Sequence, residues 1–142
     1  MSYSLALTHA VAVTMFVADK IRRGMFEFVP TREIALQLGI KGPTLVKIVQ
    51  NLNRAGILET REGAKGGVRL GRPADSIKVL DVFEAMENQR PVFQSDIAFH
   101  VTGEIPQRAQ RAIRQVFDDA TQAMETSLAS RTIANLIAQL DG

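Results

Sequence analysis

Residues 31–72 constrain the fold of this chain more than any other stretch. Thr31 can cap a short helix over residues 32–38, with Glu33 in the first turn, where a carboxylate suits the helix dipole. Ile34, Ala35 and Leu38 form its apolar stripe, and Gly39 supplies the break. Lys41-Gly42-Pro43 starts the next helix, with Pro43 at a first-turn position whose N–H needs no partner. Leu45, Ile48, Val49 and Leu52 recur at helical spacing and point to a core, which leaves Thr44, Val46, Lys47, Gln50 and Asn51 on the outer surface. Ala55-Gly56 closes the helix. Residues 57–61 and 68–70 read as two short strands, and the glycines among residues 62–67 permit the tight reversal between them. Helix, turn, helix and hairpin in that order predict a winged helix-turn-helix, which makes double-stranded DNA the first partner to consider.

The flanks complete a fold that is mainly α with a small β wing. Leu5, Leu7, Ala10, Val11, Thr14, Val17, Ala18 and Ile21 recur at three and four, the period of a helix packed into a core, and Gly24 can end it. Asp75 or Ser76 is expected to cap a helix bearing Ile77, Leu80, Val82, Phe83 and Met86. Residues 89–104 show no dependable period. From Pro106 to about Ala129 one long helix is predicted, with Ala109, Ile113, Val116, Ala120 and Ala123 on a near-heptad line and Phe117, Met124 and Leu128 beside it. At 1.5 Å per residue it extends roughly 35 Å, more than a small domain needs to cover itself, so a partner helix is expected. Ala109, Ile113, Val116, Phe117, Ala120, Ala123 and Met124 are the predicted dimerisation residues. Thr132 can begin a short last helix carrying Ile133, Leu136, Ile137 and Leu140. The expected division is a winged head over residues 1–88, a connector over 89–105, and a dimerisation helix with a short C-terminal helix over 106–142.

Charge is distributed unevenly. Residues 1–80 hold 12 Lys/Arg against 6 Asp/Glu, and residues 81–142 hold 5 against 9, within an overall net charge of +2. The basic front half concentrates attraction for phosphates where the helix-turn-helix lies. Lys41 and Lys47 can pair with phosphates or reach guanine, and Thr44 and Gln50 can bond to base edges or to sugar-phosphate oxygens. Val46 is apolar on an exposed face, so its expected contact is a thymine methyl. Pro43 and Asn51 complete the recognition surface. On the hairpin, Arg61, Lys65 and Arg69, with Gly66 and Gly67 allowing close approach, are placed for the DNA backbone or minor groove, and Arg72 for a phosphate. Glu62 opposes this locally. Two copies reading two half-sites would recognise an imperfect inverted repeat.

Other classes find less support. With no cysteine, disulfides, thiolate metal sites and a cysteine redox switch are excluded. His9 and His100 lie in no metal-ligand pattern. No Ser-His-acid arrangement is evident, the Gly63–Gly67 stretch lacks phosphate-loop spacing, and the adjacent carboxylates Asp118 and Asp119 do not converge on one ion from a helix, so an enzyme is not expected. There is no basic leader, and the apolar run over residues 10–18 is too short to span a bilayer, which predicts a cytoplasmic protein with no membrane partner. The main alternative is a winged-helix protein-interaction module without sequence-specific DNA binding.

Taken in order, the helix from Leu5 to Ala18 and four further segments, together covering nearly the whole chain, resemble the Rrf2 family of bacterial transcription regulators, in its cysteine-less branch without an iron-sulfur cluster. The four further segments are Glu33-Ile34-Ala35-x-x-Leu38-Gly39-Ile40, Leu45-x-x-Ile48-x-x-x-Leu52-x-x-Ala55-Gly56-Ile57-Leu58, Gly66-Gly67-Val68-Arg69-Leu70, and Asp75-x-Ile77-x-Val79-x-Asp81-Val82-x-x-Ala85-Met86-Glu87. The resemblance implies a homodimeric winged-helix protein that binds operator DNA and usually represses transcription. It assigns recognition to Lys41, Pro43, Thr44, Val46 and Lys47, and the wing to residues 61–69. Two departures stand out. Relatives often carry Arg-Gly after the first wing strand, whereas this chain has Glu62-Gly63 with Arg61 one place earlier. The connector that holds three cysteines in cluster-binding relatives has none here, so no ordinary iron-sulfur cofactor is expected. A small organic effector, a protein partner or no signal at all remain open in its place. Phe93, Ile97, Phe99 and His100, with Val101, mark the expected effector pocket between head and long helix.

Overall fold

The structure, a computed structural model, describes residues 3–87 and 90–142. Helix α1 (Tyr3–Arg22) runs through the head and buries Ala10, Thr14, Val17 and Ala18 of the expected stripe together with Val13, which the stripe did not include, while Leu7, Val11 and Ile21 are half-buried and Leu5 is exposed. The buried Thr14 hydroxyl donates to the Ala10 carbonyl at 2.8 Å, so it adds no unpaired polar group to the core. Helix α2 (Thr31–Leu38) begins one residue earlier than Thr31 capping predicts. Pro30 is the cap residue: its carbonyl accepts from the Glu33 and Ile34 N–H groups at 3.0 and 3.3 Å, and the Thr31 hydroxyl is not used. Gly39, at φ 65°, turns the chain toward α3 (Gly42–Arg54), which buries Leu45, Ile48, Val49 and Leu52 as expected.

Strands β1 (Leu58–Arg61) and β2 (Gly67–Leu70) pair antiparallel, with Glu59 opposite Arg69 and Arg61 opposite Gly67. Val29 adds a bridge to Val68 on the other edge, with N–H to carbonyl bonds of 2.7 and 2.9 Å in the two directions. This bridge ties the wing to the entry of α2. Gly67 permits it: at φ 147°, a Cβ there would fall 2.2 Å from the Val29 carbonyl oxygen.

The fourth helix departs from expectation at its start. Residues 74–76 form a separate single turn, Ile77 is extended, and α4 spans Val79–Glu87. Asp81 sets this start by accepting the Lys78 N–H at 2.8 Å, the role of a carboxylate that reaches back to a helix cap. The freed Ile77 is fully buried, and its carbonyl accepts the Ile133 N–H at 2.8 Å.

After the connector, α5 (Glu104–Ala129) starts at Glu104, two residues ahead of Pro106, and α6 (Ile133–Ala138) follows with Thr132 as cap. Thr132 and Asn135 bond reciprocally, at 3.0 and 2.9 Å. The expected junction between residues 88 and 89 lies outside the described residues. The last helix, expected in one segment with the long arm, packs on the head. Ile133 and Ile137 are buried in the same core as α1, and Lys78 bridges Thr132. The tail is fixed electrostatically as well: Asp141 accepts from Arg22 at 2.8 Å and from Arg23 at 3.0 Å, while Asp19 accepts from both arginines. By contrast, none of the 26 residues of α5 is buried.

Candidate nucleic-acid interface

The buried face of α3 fixes which of its residues can meet a ligand. With Leu45, Ile48, Val49 and Leu52 in the core, Lys41, Pro43, Thr44, Val46, Lys47 and Gln50 are all exposed on the opposite side. Val46 stands out at 55% exposed, an apolar side chain that the head does not use. Asn51 departs from the others: it is half-buried, and its Oδ1 accepts from Arg54 at 3.0 Å. It orients Arg54, a cation that the sequence pattern left aside.

The wing stands beside the start of α2. Between them lies a crevice of about 400 Å³ lined by Thr31, Arg32, Arg61, Glu62, Gly66 and Gly67. No local pattern assigns Thr31 and Arg32 to this surface, because their place beside the wing follows from the Val29–Val68 pairing across almost forty residues of chain. Lys65 is exposed at the tip. Arg61 is held on three sides: Nη1 pairs with Glu27 at 3.3 Å, Nη2 donates to the Lys65 carbonyl at 2.8 Å, and the guanidinium lies 4.1 Å from the centre of the Phe28 ring. Arg69 pairs across the strands with Glu59 at 3.1 Å and lies 4.6 Å from the same ring. Glu27 and Phe28 are further residues of this surface that the sequence pattern passed over. Arg72 is engaged elsewhere: it donates to Asp81 at 2.9 Å, at the start of α4.

The four residues expected to form an effector pocket are not brought together. Phe93 packs on Phe117 of α5, ring centres 4.9 Å apart, at a cavity of about 460 Å³ that also meets Glu87, Asp118 and Glu125. Burial, aided by the Glu125 and Glu84 carboxylates, raises the Glu87 carboxyl above its ordinary value. Phe99 lines a separate hollow with Pro106 and Gln110, while the Ile97 N–H donates to Gln110 at 2.8 Å. His100 is exposed and lines neither. On α5, Ala120 and Ala123 are exposed and Val116 is 62% exposed, Ala109, Ile113 and Met124 are half-buried, and Phe117 is turned toward its own connector.

A profile of the Rrf2 family, described as iron-dependent transcriptional regulator, matches residues 6–139. The chain belongs to the Rrf2 family. Solved Rrf2-like folds agree with the architecture. T. potens IscR superimposes with a TM-score of 0.69 at 22% identity, over 95% of this chain and 85% of that one. CymR, the global cysteine regulator of B. subtilis, gives 0.64 at 22% identity over 94% of each chain. Staphylococcus aureus CymR gives 0.66 at 20% identity over 94% and 95%. As an Rrf2 protein the chain is a DNA-binding transcriptional regulator rather than an enzyme.

The iron in the family description does not fit this Rrf2 chain. The sequence has no cysteine, the connector between Rrf2 head and α5 offers only Asp96 and His100 as strong donors, and among the described residues no three His, Asp or Glu gather to hold a metal. No helix among the described residues is long and apolar enough to cross a membrane.

Proposed function

We propose that this protein is a cytoplasmic homodimeric repressor that places two copies of α3 in successive major grooves of an imperfect inverted repeat. The observation that carries the reading is the exposed face of α3, where Lys41, Thr44, Val46, Lys47 and Gln50 project from a helix locked to the core by its other side. A helix of this size fits the major groove, where each base pair presents its own pattern of donors, acceptors and methyl groups. Lys47 and Lys41 supply charge, Thr44 and Gln50 hydrogen bonds, and Val46 an apolar contact for a thymine methyl. The wing tip, with Lys65, Arg61 and the glycines Gly66 and Gly67, meets the adjacent backbone or minor groove. Val116, Ala120 and Ala123, with Ala109 and Ile113, pair α5 with its copy. The cavity beside Phe93, where the connector meets α5, is the place for a small-molecule effector, since a ligand there changes the angle between paired heads.

Selection of bound duplexes from a random pool tests the reading. An inverted repeat with half-sites one or more helical turns apart is expected. Lys47→Ala should weaken binding to all duplexes and lower the salt slope by about one, whereas Val46→Ala should change preference at one base position. A bound pool without a shared motif, or affinity that ignores salt, would return the chain to the class of protein-interaction modules.

A further inference from the structure

Phe28 is only 7% exposed, yet it is not part of the hydrophobic core that holds its neighbour Val29. Its position follows from strand alternation. Val29 bridges Val68, which is fully buried, so Phe28 falls on the opposite face of the ribbon. That face carries Glu59 and Arg69, which are paired across the strands, and Arg61, two residues along from Glu59. Two guanidiniums lie over the ring, 4.1 and 4.6 Å from its centre. Each guanidinium also meets a carboxylate, Arg61 with Glu27 at 3.3 Å and Arg69 with Glu59 at 3.1 Å.

A guanidinium stacked on a ring keeps its N–H edge open, and that edge binds a carboxylate or a phosphate through the same donor geometry. A stacked arginine has also already given up most of its side-chain freedom before a ligand arrives. We propose that Phe28 is the positioning residue of the wing: its ring holds both Arg61 and Arg69, and Glu27 and Glu59 occupy the guanidinium edges until backbone phosphates of a DNA duplex take their place. This rests on the reading that the wing meets DNA. It adds that the wing is preassembled in the free protein, and that Glu27 restrains binding by competing for Arg61.

Binding of full-length Phe28→Leu, Phe28→Tyr and Glu27→Gln to a selected duplex and to a random-sequence duplex, each across a salt series, tests the inference. Leu keeps the apolar burial but not the quadrupole. Loss of two ring contacts corresponds to about 5- to 30-fold weaker binding, with a salt slope lower by about one to two. Phe28→Tyr should stay within about 2-fold of wild type, and Glu27→Gln should bind about 2- to 5-fold more tightly. A Phe28→Leu protein with wild-type affinity and salt slope overturns the proposal. So does one that loses thermal stability while keeping its slope, or a Phe28→Tyr variant as weak as Phe28→Leu, since either result assigns the ring to packing alone. If the wild type binds no duplex, the DNA reading and this inference fall together. Wild-type binding with an inert Phe28 removes only the inference.

Discussion

In the head, Ile34, Leu52, Ile57, Ile77 and Ile133 are all below 2% exposed, whereas α5, twice the length of α3, buries none of its residues. The head closes a core on itself and turns cations and hydrogen-bonding groups outward, with Leu36 and Val46 exposed among them. The long helix buries no residue of its own and leaves Val116 and Ile105 in the open among exposed charges. Surfaces of these two kinds suit different partners: phosphates and base edges for the first, another apolar helix for the second. The last helix shows where the boundary between the regions falls, because the chain leaves the head for α5 and then returns Ile133 and Ile137 to the core beside α1.

The largest effect should break or uphold that boundary. Ile133→Ala is expected to cost about 2–5 kcal/mol of unfolding free energy, while Val116→Ala, at a protein concentration low enough to keep chains apart, should change stability by no more than about 0.5 kcal/mol. Urea unfolding of both variants gives the comparison; equal losses would erase the distinction between the two regions. Next, a charge placed on α5 sharpens the contrast from the other side. Val116→Asp should weaken self-association roughly 100-fold, read by sedimentation, with the circular dichroism of the head unchanged.

Gly67→Ala acts where the wing is fastened to the head. Its Cβ would fall 2.2 Å from the Val29 carbonyl oxygen, at a φ of 147° that disfavours any other residue. A loss of about 1–3 kcal/mol is expected, together with weaker duplex binding, and unchanged thermal unfolding would show that the Val29–Val68 bridge does not anchor the wing.

The smallest effect concerns the tail. Hydrogen bonds from Arg22 above all hold the Asp141 carboxyl below its ordinary value of 3.8, against an opposing desolvation. For Asp19, burial pushes the carboxyl up, and the bonds from Arg23 and Arg22 together outweigh it, so the net direction is also down from 3.8. A carboxyl lowered in the folded state stabilises the fold above its ordinary value, and that stabilisation is lost as the pH falls below it. Asp141→Asn should therefore have a lower Tm than wild type at neutral pH, and the two curves should converge as the pH falls below 3.8. A difference that did not shrink as the pH fell below 3.8 would assign the contribution of Asp141 to something other than its charge.

Much of this contrast is legible from residue order. The stripe on α1, the buried face of α3, the Gly39 break and the Thr132 cap all rest on contacts within one or two turns, where spacing alone decides which side of a helix faces inward. What escapes a linear reading is long-range. Asp81 draws the start of α4 past Ile77, and Ile77 then serves as a backbone partner for Ile133, 56 residues away. The same holds at the interface. The exposed residues of α3 follow from its period, but Arg72 is claimed by Asp81, and Arg61 and Arg69 share a ring contributed from before α2, which no local pattern announces. The intended pocket of Phe93, Ile97, Phe99 and His100 divides because the connector has no regular period to place its side chains.

In the proposed dimer, α5 joins two heads so that they bind DNA as a pair. This pairing is tested most directly by titrating a selected inverted repeat against the same duplex with one half-site scrambled, with the mass of each complex measured. Two chains on the intact repeat are expected, with at least about 100-fold weaker binding to the scrambled one. A single chain bound with equal affinity to both duplexes would contradict the pairing.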